Sequence, residues 1–190
     1  MFELHQSSSP EWLEAVMIDF DSFLLDHAAC ERKASATAML FVVRYPDREA
    51  LIAPLIDVAL EELEHFKMVY AIIQERGLTL QRDTKDPYVN ALLKHVRTGR
   101  DERLMDRLIV GAVLEARGCE RFGMIADALP PGQVKEFYVE FTRSEARHHG
   151  LYLRLAREYF ADDLVEARHT WFLDREAEIV RDLPLRAALH

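Results

Sequence analysis

Glu62-Leu63-Glu64-His65 and Glu145-Ala146-Arg147-His148 are two copies of one spacing, and each has a lone glutamate upstream. Glu31 precedes Glu62 by 31 positions and Glu115 precedes Glu145 by 30. On a helix, residues three apart project from one face, so each Glu-x-x-His offers a carboxylate and an imidazole to one metal. A single copy has little weight, because this Glu and His content yields about one such spacing by chance. The pairing carries the signal, since roughly thirty residues is the return distance of an antiparallel helix pair with a short connection. Glu31, Glu62, His65, Glu115, Glu145 and His148 therefore read as four carboxylates and two imidazoles inside a bundle of four helices, a donor set for two metal ions. Carboxylate oxygen with imidazole nitrogen suits iron or manganese better than the thiolate-favouring metals. Six ionisable groups converging on one core need a cation or must stay outside it.

One register is ambiguous within the chain. Cys30-Glu31-Arg32 is echoed by Cys119-Glu120-Arg121, which offers Glu120 in place of Glu115. Glu120 precedes Glu145 by only 25 positions, almost two turns short, or about 9 Å at roughly 1.5 Å per residue. Glu115 is the preferred register. Small residues surround it (Gly111, Ala112, Gly118, Cys119), as His27, Ala28, Ala34 and Ser35 surround Glu31. Asp26 and His27, one turn before Glu31, are candidates to hydrogen-bond the ligands, with ordinary capping or core polarity an equal reading. Glu61 and Glu64 point to other faces and are expected in solvent, and His149 is expected to serve the surface or a helix contact.

The elements that must position these groups are helical. Ser7 to Pro10 caps a short helix. A long helix then runs from about Asp19–Asp21 to Arg44, where Tyr45-Pro46 stops it. A second begins near Asp47 or Pro54 and ends at Arg76-Gly77. After a polar connection, Tyr88 to Val96 forms a short helix. Long helices follow from Asp101 to Leu129 and from Gln133 to Phe160, separated by Pro130-Pro131-Gly132, and a last helix runs from Asp162 or Asp163 to Arg181. No strand alternation of useful length occurs. The expected architecture is all-α: a ferritin-like four-helix bundle with additional short helices, in a single domain over residues 1–190.

Composition agrees, with 49% apolar and 30% charged residues and only seven Gly and seven Pro. No apolar run approaches the roughly 20 residues that span a bilayer. The first ten residues lack the basic and apolar regions of a signal peptide. Cys30 and Cys119 have no metal-ligand spacing and are expected as reduced, partly buried thiols. The expected location is cytoplasmic. A net charge of −9 opposes non-specific nucleic-acid binding while leaving room for a local basic patch. Two arginine-rich clusters qualify: Lys94, Arg97, Arg100, Arg103 and Arg107, and Arg143, Arg147, Arg154 and Arg157. Acidic residues are interleaved in both neighbourhoods, so a charged solvated face is an equal reading of each.

Longer blocks carry a family resemblance. Asp26-His27-Ala28-Ala29-Cys30-Glu31-Arg32-Lys33-Ala34, Glu61-Glu62-Leu63-Glu64-His65-Phe66, Glu115-Ala116-Arg117-Gly118-Cys119-Glu120-Arg121-Phe122 and Ser144-Glu145-Ala146-Arg147-His148 resemble the MiaE-type tRNA hydroxylases, over about Leu25 to Tyr159. The resemblance implies a non-haem di-iron monooxygenase that hydroxylates the isopentenyl group of 2-methylthio-N6-isopentenyladenosine at tRNA position 37. It implies Glu31, Glu62, His65, Glu115, Glu145 and His148 as ligands of two iron ions, O2 as co-substrate, tRNA as partner, and an electron-transfer reductase as external donor. Gly118 stands where the family is expected to have Ser. Readings from other classes are a ferritin-like iron-storage protein, another di-metal oxidoreductase such as a small-molecule oxygenase or a manganese catalase, and a helical adaptor without metal.

Overall fold

The structure, a computed structural model, describes residues 4–190, and all of its regular elements are helices. In order they are α1 (Pro10–Ile18), α2 (Phe20–Arg44), α3 (Glu49–Glu75), α4 (Pro87–Leu93), α5 (Arg100–Ala128), α6 (Gln133–Arg157) and α7 (Asp162–Asp182). The chain divides into two compact units. One comprises Glu14–Thr84 with Arg186–Leu189; the other comprises Lys85–Leu185 with residues 4–13 and His190.

In the first unit, α2 and α3 form a helical hairpin. Asp19 caps α2 by accepting from the Ser22 amide at 3.1 Å, and Tyr45-Pro46 ends it. The buried residues of α3 recur at helical spacing: Leu51, Leu55, Val58, Ala59, Glu62, His65, Val69 and Ile73. Each fully buried aliphatic among them contributes about 1.5–3 kcal/mol. Pro54 lies inside α3, which starts upstream at Glu49 and continues through it. Near the start of a helix, the missing proline amide removes one bond of the first turns and leaves the remaining ladder intact. Gly77 ends α3 with φ +69°, a conformation in which a side chain would be strained. Arg32 bonds Asp83 at 2.5 Å and Lys33 bonds Thr84 O at 3.0 Å, so the return segment is tied to α2.

In the second unit, α5 and α6 form the corresponding hairpin, with α4 and α7 packed on it. Buried residues cover much of the circumference of α5, and Arg117 is among them. The Pro130-Pro131-Gly132 turn places Gly132 at φ +154°, again a glycine conformation. Asp86 caps α4, accepting from the Tyr88 and Val89 amides at 2.8 and 3.2 Å, with Pro87 at the first helical position.

Candidate functional site

Each hairpin buries one of the Glu/Glu/His sets read from the sequence. In the first unit Glu31 from α2 meets Glu62 and His65 from α3, and the three are 3%, 1% and 7% exposed. His65 Nδ1 lies 3.3 Å from Glu62 Oε2 and 3.5 Å from Glu31 Oε2. In the second unit Glu115 from α5 meets Glu145 and His148 from α6, again all buried. His148 Nδ1 lies 3.9 Å from Glu115 Oε2. Within each set, ligand atoms come within 4.8 Å of one another, close enough for one cation.

The electrostatics fit that cation. Burial, and then the neighbouring Glu62 carboxylate, push the Glu31 carboxyl well above the usual range. Burial opposes charge on His65, but Glu31 and Glu62 outweigh it and raise the imidazole to about 10. Two buried carboxylates thus retain protons among themselves and the imidazole. A divalent metal bound by the same oxygen and nitrogen atoms supplies that positive charge instead.

Around the two buried sets the hairpins share a further feature that the sequence reading did not find. Ser35, one turn after Glu31, donates from Oγ to Ala59 O at 2.7 Å. Cys119, one turn after Glu115, donates from Sγ to Thr142 O at 3.3 Å. Ala59 and Thr142 each stand three residues before the glutamate of their Glu-x-x-His motif. Both hairpins are therefore stapled at the same register. The signal was available in the thirty-residue offset once Ser35 and Cys119 are read as donors rather than as small residues. Cys30 and Cys119 are free thiols.

The remaining candidates separate. His27 Nε2 lies 2.6 Å from Glu31 Oε1, so this histidine orients the Glu31 carboxylate. Asp26 instead accepts from the Leu189 amide at 2.8 Å. Glu64 pairs with Lys67 at 3.0 Å, and Glu61 reaches only to 4.0 Å from His65 Nε2. His149 turns away from His148 and donates from Nδ1 to Ala112 O at 2.8 Å, a helix–helix contact. Glu120 accepts from the Ser8 amide at 3.0 Å, from Ser8 Oγ at 2.8 Å and from Arg117, so its carboxylate is engaged away from Glu145 and His148. That engagement belongs to a buried network the sequence reading also missed. Arg117 donates to both oxygens of Glu176, at 2.8 and 2.9 Å, and Tyr88 Oη donates to Glu176 at 2.8 Å.

Comparison with known proteins gives the fold and the kinship. Residues 2–190 match the family described as tRNA-(MS[2]IO[6]A)-hydroxylase (MiaE). The chain is 37% identical over 148 residues to the tRNA 2-(methylsulfanyl)-N(6)-isopentenyladenosine(37) hydroxylase of Pseudomonas putida, covering 78% of this chain and 72% of that protein. It is 32% identical over 204 residues to the protein of the same name from Salmonella typhimurium, covering 83% and 75%. A solved structure described as protein 43 with aldehyde deformylating oxygenase activity, from Synechococcus, superposes with a TM-score of 0.94 at 32% identity, covering 100% of this chain and 96% of that one. The fold is all-α and ferritin-like. A full-length family match and two relatives above 30% identity converge on one conclusion: the chain belongs to the MiaE family of tRNA hydroxylases.

Proposed function

We propose that this protein hydroxylates the isopentenyl group of 2-methylthio-N6-isopentenyladenosine at position 37 of tRNA. In this reading Glu31, Glu62 and His65 hold one iron ion, and Glu115, Glu145 and His148 hold the other. The observation that carries it is the pair of buried Glu/Glu/His sets, one per hairpin, in a chain whose named relatives are tRNA hydroxylases. The net reaction takes the substrate C–H bond, O2, two electrons and two protons to an alcohol and water, the electrons coming from an external reductase. Oxidation of an alkyl C–H bond is beyond any amino-acid side chain, and a bound pair of irons supplies it.

The chain's own residues prepare for that chemistry. His27 fixes the rotamer of Glu31, and the buried carboxylates keep their negative charge only where a cation offsets it. Ser35 and Cys119 hold each ligand-bearing pair of helices in register. No helix among the described residues is long and apolar enough to cross a membrane.

The test is one reaction: iron-loaded protein, a reductant, O2 and tRNA from cells lacking the hydroxylated base, followed by nucleoside mass spectrometry. A gain of one oxygen on the prenylated adenosine is expected. Two irons bound and O2 consumed with no such gain sinks the substrate. The superposition on a protein with aldehyde deformylating oxygenase activity makes an aldehyde the first alternative to assay. Peroxide disproportionation by the manganese-loaded protein would favour a catalase instead.

A further inference from the structure

Glu166-Ala167-Arg168-His169 on α7 repeats Glu145-Ala146-Arg147-His148 residue for residue, and it takes no part in either buried Glu/Glu/His set. Helical spacing again puts the carboxylate and the imidazole on one face. The residue that faces this copy is His149 of α6, the neighbour of His148. The His149 and His169 rings lie with centroids 5.9 Å apart and planes inclined by 51°. All three residues belong to the second unit, on consecutive helices joined by residues 158–161.

Both imidazoles are arranged as ligands are. His149 Nδ1 donates to Ala112 O at 2.8 Å, which in the neutral ring places the lone pair on Nε2. A carbonyl on the far nitrogen is how a metal-binding histidine is fixed in tautomer and orientation. His169 Nε2 is buried and has no hydrogen-bond partner among the described residues. A buried polar atom left in that way calls for an occupant, a water or a cation. Burial, with the neighbouring His149 adding to it, pushes the His169 imidazole down to about 4, so at neutral pH its lone pair is available. A zinc-like ion stands about 2.0–2.1 Å from an imidazole nitrogen, so two rings on one ion have centroids roughly 5–6 Å apart, a range that includes the observed 5.9 Å. Glu166 is the carboxylate at hand, close enough to His169 to favour its charged form. Its side chain is 68% exposed and meets Arg157 at a long 3.4 Å, while Arg157 also has Asp162 at 3.9 Å, so the carboxylate can turn towards the rings without stranding the arginine.

We propose that His149, His169 and Glu166 form a binding site for one divalent metal ion of the zinc class, separate from the two buried Glu/Glu/His sets and joining α6 to α7. The site stands independently of the tRNA reading. Two imidazoles and one carboxylate suit zinc and its neighbours cobalt and nickel, with water completing the coordination. The same donors disfavour magnesium and calcium, which take oxygen ligands. An ion there ties the helix that carries Glu145 and His148 to the helix that follows it, and stabilises the folded chain in proportion to the metal present.

The experiment is equilibrium dialysis of untagged, iron-loaded protein against micromolar zinc, with iron and zinc both counted by mass spectrometry. His169→Phe keeps a ring and removes both nitrogens, and it should bind one zinc fewer per chain than the wild type with the iron count unchanged. Because the result is a difference between two proteins, it holds whatever metals the buried sets contain. Glu166→Gln, at an exposed position, leaves folding untouched and should weaken the same zinc by at least about tenfold. A thermal melt adds a readout that a merely structural histidine would not move. Zinc at about 100 times its Kd should raise the wild-type Tm by about 5–10 °C and leave that of His169→Phe in place. Equal zinc counts in the wild type and the folded His169→Phe variant overturn the proposal, as does an unchanged affinity in Glu166→Gln. Zinc bound only at millimolar concentration overturns it too, and the buried nitrogen of His169 then meets a water instead. A wild type that shows the zinc difference but hydroxylates no tRNA loses the substrate reading and keeps this site.

Discussion

The α2–α3 and α5–α6 hairpins each bury two glutamates and a histidine at the same register, yet they surround them differently. The residue one turn before Glu31 is His27, 2.6 Å from the Glu31 carboxylate. The residue one turn before Glu115 is Gly111, whose place beside the helix is filled by the Tyr152 ring, 3.1 Å from where a Cβ would stand. One turn after the glutamates, Ser35 and Cys119 staple their partner helices, but three residues after them stand Ala34 and Gly118. A Cβ at Gly118 would lie 3.3 Å from Glu145 Oε2. The first set is held by a hydrogen-bond partner and an imidazole close to both carboxylates. The second has small residues beside its carboxylates, and its histidine Nδ1 lies 3.9 Å from the Glu115 carboxylate. The comparison teaches that the repeat keeps register and residue type, while orientation and space are set separately in each half.

The largest expected difference is in the metal-free protein. His65 sits close to two buried carboxylates, so His65→Ala leaves them without their positive partner and should destabilise by about 3–5 kcal/mol. His148, 3.9 Å from Glu115, should cost no more than about 2 kcal/mol on the same substitution. Urea titrations of the two apo variants check this, and equal losses would break the comparison. The pH dependence sharpens it. The folded pKa of His65 is raised from 6.5 to about 10, so its contribution is full below 6.5 and is lost as pH rises through about 10. Apo wild type should therefore lose stability across that window, and apo His65→Ala should lose much less.

Next in size is His27. His27→Ala frees the Glu31 carboxylate to rotate and should weaken iron binding at that set by about 10–100-fold, read as the loss of one of two irons in a chelator competition. The α5–α6 set has no such partner one turn before Glu115, so the second iron should remain. Loss of both irons together would show that the halves are not separately prepared. On the other side, Gly111→Ala drives a methyl group into the Tyr152 ring and should destabilise by about 1–3 kcal/mol, with iron stoichiometry unchanged.

How much of this was legible follows from the distance over which each signal acts. The two Glu/Glu/His groupings were readable because a three-residue spacing on a helix has a fixed geometric meaning, and the thirty-residue offset repeated it. The long helices were readable within a few residues, since Tyr45-Pro46, Gly77 and Pro130-Pro131-Gly132 punctuate them. Pro54 was ambiguous because its local cost allows either a start or an interior position, and packing of Leu51 and Leu55 decides for the interior. The engagement of Glu120 with Ser8 and Arg117, and the pairing of Arg117 with Glu176 across 59 residues, left no periodic trace. Sequence also could not tell the arginines of α6 from those before α5. Which acid reaches each of them, Asp106 and Glu102 for Arg97 or Glu140 for Arg143, is a matter of three-dimensional placement.

The smallest effect tests the staples that the two hairpins share. Ser35 Oγ to Ala59 O, at 2.7 Å, is a hydroxyl bond of ordinary strength, and Ser35→Ala removes it while leaving the Ala59 carbonyl its backbone role. A loss of about 1 kcal/mol is expected, or about 2–4 °C in Tm for a domain of this size. Cys119 holds the equivalent place with a thiol, a weaker donor. Burial, with the Glu115 and Glu120 carboxylates adding to it, raises the thiol to about 11, so it stays protonated and donates at neutral pH. Cys119→Ala should therefore cost less in hydrogen bonding than Ser35→Ala, and Cys119→Ser, which restores a strong donor on a shorter bond, should change Tm by no more than about 2 °C. A Cys119→Ala loss larger than that of Ser35→Ala would mean that sulfur packing, rather than the shared hydrogen bond, holds the second hairpin in register.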